Sequence, residues 1–193
     1  MDLTDRSVKD LLAAFRAPDP TPGGGSAAAL GGAIGASLLA MVAALPHART
    51  RTDEEVLRLG KAAERCGELA VQLTALVDRD SEAYEWVVAA YRLPKGTDAD
   101  KAVRSERIQR ALRAATETPL DVMRSCAEAL ALGEAIEGLG NANASSDVRV
   151  GLELLRAGLR GARLNVDINL GNVKDADYRQ AVLSEVAELA RSA

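Results

Sequence analysis

Apolar residues recur at spacings of three and four along most of this chain, and no two segments alternate convincingly enough to pair as strands. The pattern predicts an all-α fold, a single-domain bundle over residues 1–193 built from about six to seven helices, several of them long. A short helix runs from Ser7 to Phe15. A Gly-rich turn follows, then an Ala/Gly helix that ends near Leu45. The proline-free stretch from Asp53 to Tyr91 reads as one long helix or two nearly collinear ones, stopped by Pro94 and Gly96. Asp98 to Glu117 forms the next helix, Pro119 resets the chain, and a further helix continues to Leu139. Asn165 to Leu170 alternates polar and apolar, yet Leu152, Leu155, Leu159, Ala162, Val166, Leu170 and Val173 keep helical spacing through it, so it continues a helix. Asp175 to Ala190 closes the chain.

The sharpest break in the pattern is "DPTPGGGSAAALGGAIGASLLAMVAAL", Asp19 to Leu45. Pro20 and Pro22 hold the backbone extended, and Gly23, Gly24 and Gly25 open dihedral angles closed to other residues. Ser26 is an N-cap candidate for a helix whose first amides face a bare glycine backbone, a place where something polar or anionic can dock. No Lys and Ser or Thr follow Gly25 as a nucleotide-binding loop requires. Ser26 to Leu45 has the length of a membrane span and a GxxxG at Gly31 and Gly35. Ala, Gly and Ser dominate it, however, so it reads as an internal helix with small faces.

Composition narrows the function. A net charge of −4 and five aromatic residues argue against a nucleic-acid surface. Neither end resembles a secretory signal, which implies a cytoplasmic protein, and Cys66 and Cys126 fit there as unpaired buried thiols. His47, the single histidine, cannot support a multi-histidine metal site. Acid–base work therefore falls to carboxylates.

In "VDRDSEAYEWVVAAYRLPK", Asp78 and Asp80 point about 200° apart on a helix. Asp78 has Thr74, Ser81, Glu82 and Glu85 as neighbours, a wet face. Asp80 has Leu69, Leu73, Leu76, Val77, Ala83, Tyr84, Val87 and Tyr91. An acid in an apolar stripe needs a partner or a raised pKa, so Asp80 is either a structural anchor or a general acid–base group. Farther on, "GNANASSD" crowds Asn141, Asn143, Ser145, Ser146 and Asp147 at a helix start, which capping explains. Gly151, Gly158, Gly161, Asn165, Asn169 and Asn172 then share one side of that helix. They either line a polar pocket or tie two helices together.

Taken together, "PTPGGGSAAA", "LVDRDSEAYEWVVAAYRLPK", "ATETPL", "GNANASSD" and "ARLNVDINL" resemble the cyclodeaminase/cyclohydrolase family of folate enzymes, in the family's order and across nearly the whole chain. The resemblance implies an all-helical homodimer or larger assembly, no membrane or nucleic-acid partner, and tetrahydrofolate chemistry with no metal or cofactor beyond the folate. It places the family's catalytic aspartate on Asp80. The implied activity is closure of 5-formimidoyltetrahydrofolate to 5,10-methenyltetrahydrofolate with release of ammonia. The alternatives are hydrolysis of the methenyl bridge to 10-formyltetrahydrofolate, or a folate-binding scaffold without catalysis. Gly23, Gly24, Gly25, Ser26, Asn141, Asp147, Asn165 and Asn169 are then the expected pocket residues, with Lys95 toward the folate glutamate. The chain departs from the family between Pro46 and Thr52, where Arg49 or Arg51 stands in for a basic pair.

Overall fold

The computed structural model describes residues 2–46 and 52–192. Six α-helices and two 3-10 turns follow one another: α1 Val8–Arg16, α2 Gly24–Ala44, α3 Asp53–Tyr91, α4 Asp98–Leu139, a turn at Ala142–Ala144, α5 Ser145–Leu170, α6 Ala176–Leu189 and a last turn at Ala190–Ser192. Among the described residues there is no strand. Residues 47–51, which hold His47, Arg49 and Arg51, lie outside the described residues.

Helices α2 to α5 form an up-down-up-down bundle joined by short connections. The register is readable from the contacts. Ser26 of α2 meets Val77 and Asp80 of α3, Arg65 of α3 meets Glu128 of α4, and Asn169 of α5 meets Ala115 of α4. The ring closes between α2 and α5, where glycines bring backbones together. A Cβ on Gly35 would lie 2.7 Å from Gly151 O, and one on Gly158 would lie 2.9 Å from Ala28 O. The small residues of α2 thus serve helix packing. By length and composition α2 is nevertheless the one described helix apolar enough to cross a bilayer.

α3 is one unbroken helix, opened by a reciprocal cap between Thr52 and Glu55. α4 corrects the sequence reading, since Pro119 lies inside a continuous helix instead of resetting it. Proline has no N–H for the carbonyl four residues back, Ala115 O, and an unmet buried carbonyl would break the helix. Here the side-chain amide of Asn169 donates to Ala115 O at 2.7 Å and replaces the missing bond. On the outside of α4, Arg124 binds Asp121 and Glu185, and Tyr178 donates to Glu117 at 2.8 Å, which fastens α6.

One asymmetry makes room for a site. α2 begins opposite Asp80, whereas α3 runs eleven residues further to Tyr91 and α4 and α5 also extend past that level. The space on the axis of α2, beyond its N-terminus, is left unfilled by any helix.

Candidate active site

That space is a cavity of about 370 Å³ lined by Pro20, Thr21, Gly23, Gly24, Asp80, Tyr84, Val87, Tyr91, Leu112, Ala115, Asn165, Asn169 and Asn172. Its size suits a small organic molecule. The apolar stripe around Asp80 changes character here. Leu69, Leu73, Leu76 and Val77 are core, while Tyr84 and Tyr91, 43% and 48% exposed, form cavity wall. Asp80 stands where the core ends and the cavity starts.

The carboxylate is seated on the first turn of α2. Ser26 N–H donates to Asp80 Oδ2 at 2.8 Å, and Ser26 Oγ lies 3.1 Å from the same oxygen. Ser26 is therefore not the N-cap. Gly23 is, with no side chain to offer, and Asp80 supplies the acceptor that a capping residue would normally give. A buried Ser26 hydroxyl instead reaches Val77 O at 2.8 Å and Ser81 Oγ at 3.3 Å. The glycines also act differently from expectation, since none of the described ones has positive φ. They provide proximity: a Cβ on Gly25 would lie 2.1 Å from Asp80 Oδ1, and one on Gly24 would lie 3.6 Å from Asn165 Nδ2.

Burial raises the Asp80 pKa above its ordinary value, opposed by the hydrogen bonds from the Ser26 hydroxyl and amide. Asp80 Oδ2 is the bonded oxygen, and Oδ1 has no donor among the described residues. A carboxylate with a raised pKa and a free oxygen is suited to take a proton from a neighbour and return it. Asp78 is spent elsewhere. It accepts from Leu3 N–H and from Thr4 Oγ1, holding the N-terminal segment.

The other expected pocket residues divide. Gly23, Gly24, Asn165 and Asn169 line the cavity with Asp80, and Gly25 and Ser26 lie beneath it. Asn141 and Asp147 do not join them within this chain. Asn141 donates to Pro46 O at 2.8 Å, at the opposite end of α2, and accepts from Asn143 N–H. Asp147 is in the first turn of α5, about 27 Å along the axis from Asn165. Lys95 is exposed in the connection after Tyr91, outside the lining. Thr21, Leu112 and Ala115 were not expected as lining residues. Tyr84, Val87 and Tyr91 carried a signal, since they stand four, seven and eleven residues after Asp80 on its own stripe.

The fold and cavity define an all-helical protein that holds one desolvated carboxylate at the floor of a small-molecule-sized hollow. A family model described as formiminotransferase-cyclodeaminase matches residues 7–188, and the chain belongs to that family. It is 38% identical over 185 residues to a methenyltetrahydrofolate cyclohydrolase of Methylorubrum extorquens, covering 96% of this chain and 89% of that protein. It is 29% identical to the formimidoyltransferase-cyclodeaminase of Rattus norvegicus over 99% of this chain, which spans 35% of the rat protein. Its fold matches the crystal structure of formiminotetrahydrofolate cyclodeaminase from Thermotoga maritima with a TM-score of 0.87 at 27% identity, over 99% of this chain and 91% of that one.

Proposed function

We propose that the cavity binds a tetrahydrofolate carrying a one-carbon unit and that Asp80 moves protons at the carbon held by N5 and N10. The observation that carries this reading is the Asp80 carboxylate on a cavity wall, with one oxygen fixed by Ser26 and the other without a donor among the described residues. In the closure of 5-formimidoyltetrahydrofolate, N10 attacks the amidine carbon and forms the new C–N bond. Asp80 accepts the N10 proton and delivers a proton to the departing nitrogen as its bond to carbon breaks, releasing ammonia and the 5,10-methenyl product. The Ser26 hydroxyl can follow the charge. It donates to Asp80 while the acid is ionised, and once the acid is protonated it can donate to Val77 O and accept from Asp80.

A second reading, favoured by the cyclohydrolase of M. extorquens as a relative of similar extent, is hydrolysis of the 5,10-methenyl bridge. Asp80 then takes one proton from water as the water oxygen joins the methenyl carbon and passes it to N5 as the N5–carbon bond opens, while the remaining hydroxyl proton leaves to solvent as the 10-formyl C=O forms. Both reactions place a carboxylate beside a cationic carbon, which its charge stabilises. The scaffold alternative leaves the raised pKa and unbonded oxygen of Asp80 without a use. A cytoplasmic location and a homo-oligomeric assembly belong to the same proposal.

Purified protein given each folate separately distinguishes the readings. Ammonia release from the formimidoyl substrate supports closure, loss of the methenyl absorbance supports hydrolysis, and binding without either supports the scaffold. Asp80→Asn is expected to lower whichever turnover is found by about 10²- to 10⁴-fold while keeping the fold, since the amide oxygen still accepts from Ser26 N–H. Full activity in Asp80→Asn would refute the assignment.

A further inference from the structure

The two asparagines of the cavity wall are oriented by main-chain carbonyls. Asn165 Nδ2 donates to Gly161 O at 3.0 Å, and Asn169 Nδ2 donates to Ala115 O at 2.7 Å. A carbonyl only accepts, so the nitrogen end of each amide is turned to the backbone and the oxygen end is left over. Neither Oδ1 receives a hydrogen bond from the described residues. Asn169 is held this way by an omission in α4. Were residue 119 anything but proline, its N–H would occupy Ala115 O and the Asn169 amide would be free to turn over. The α5 wall therefore keeps two amide oxygens as unused acceptors, one helical turn or about 6 Å apart along the axis, while each NH2 has one of its two N–H groups committed to the backbone. Across the first turn of α2, which touches Asn165 through Gly24 and Asp80 through Gly25, the α3 wall offers Asp80.

We propose that the Asn165 and Asn169 oxygens read the donor edge of the reduced pterin, the edge bearing N8–H, the 2-amino group and N3–H, and that Pro119 is the positioning residue that keeps the Asn169 oxygen turned toward it. This rests on the folate reading above and adds which part of the molecule each wall receives. The one-carbon unit lies on the opposite edge of the ring, between N5 and N10. A pterin that gives its N–H groups to α5 thus presents that carbon to Asp80 on α3. An inverted pterin would set the O4 and N5 lone pairs against the two amide oxygens, leaving only the second N–H of each amide to meet them and so fewer hydrogen bonds to offset the lost water.

Tetrahydrofolate and its 2-desamino-2-methyl analogue, each used as a competitor of turnover, test the assignment. In the native protein the analogue should compete about tenfold more weakly or worse, because an acceptor is left without its donor. Pro119→Ala returns a main-chain N–H to Ala115 O and releases the Asn169 amide without weakening α4. In that variant the difference between the two competitors should shrink to about threefold or less, with KM for the substrate rising more than kcat falls. Asn165→Leu, which leaves α4 untouched, should also reduce the difference. Equal competition in the active native protein overturns this inference alone, as does undiminished discrimination in both variants. Absence of folate binding and turnover overturns the functional reading and this one with it.

Discussion

Replacing Gly25 by alanine tests the site where it is tightest. The added methyl would lie 2.1 Å from Asp80 Oδ1, 2.5 Å from its Cγ and 2.7 Å from Oδ2, against the 3.4 Å at which ordinary contact begins. The carboxylate must therefore move by about 1.3 Å, the difference between 3.4 and 2.1 Å. It can do so, because it is the end of a rotatable side chain and not backbone, so the bundle should still form. Alanine in the first turn of α2 also favours the helix by up to about 1 kcal/mol over glycine. The lost Asp80 to Ser26 hydrogen bond offsets that by about 1 kcal/mol, leaving Tm nearly unchanged. Catalysis should respond quite differently. A displacement of about 1 Å at a reacting group costs about a hundredfold in rate, or about 2.7 kcal/mol of barrier. The assay is kcat on the active folate beside circular dichroism and thermal melting, with Gly60→Ala in α3 as the control, where an added Cβ meets nothing within 4 Å. If Gly25→Ala keeps kcat within about threefold while melting like the parent, the carboxylate seat is not what activity depends on.

Four further outcomes are expected. Asp80→Asn should lower kcat by about 10²- to 10⁴-fold, whereas Asp78→Asn should change it only slightly and mainly loosen the segment at Leu3 and Thr4. Because folding raises the Asp80 pKa, ionising this group costs the native state stability as pH rises from the ordinary aspartate range through the folded value, so Asp80→Asn should melt no lower than the parent at pH 7 and lose its advantage below pH 3.8. Ser26→Ala removes a hydrogen bond that holds the Asp80 pKa down, so the acid limb of the pH–rate profile should move to higher pH; a shift downward would contradict the assignment. Cys66 and Cys126 are buried and unpaired, with burial pushing their pKa values to about 11 and about 12, so the native protein at pH 8 should resist iodoacetamide until denaturant is added, as mass spectrometry would show.

Local signals were enough for the helices that local chemistry governs. α3 stands between the limits read for it, because a capping pair opens it and Pro94 and Gly96 follow its end. Asp80 was legible for a related reason: its neighbours at three, four, seven and eleven residues are apolar whatever the rest of the chain does. Pro119 misled because the group that rescues Ala115 O arrives from Asn169, 54 residues away, and no window along α4 contains it. Ser26 misled in the same manner, its expected capping role being filled by Asp80 from another helix. Asn141 and Asp147 share a helix-and-turn region with Asn165 in the sequence. Rise per residue, however, sets the two ends of α5 apart by most of the length of the bundle.

The bond from Ser26 to Asp80 spans 54 residues and joins the start of one helix to the interior of another. Neither partner has its working environment until those two helices have docked: before then the acid is hydrated and ordinary, and the amide of Ser26 is bound to water. Catalytic competence therefore requires that these two helices have docked, so in refolding, regained turnover cannot precede that contact.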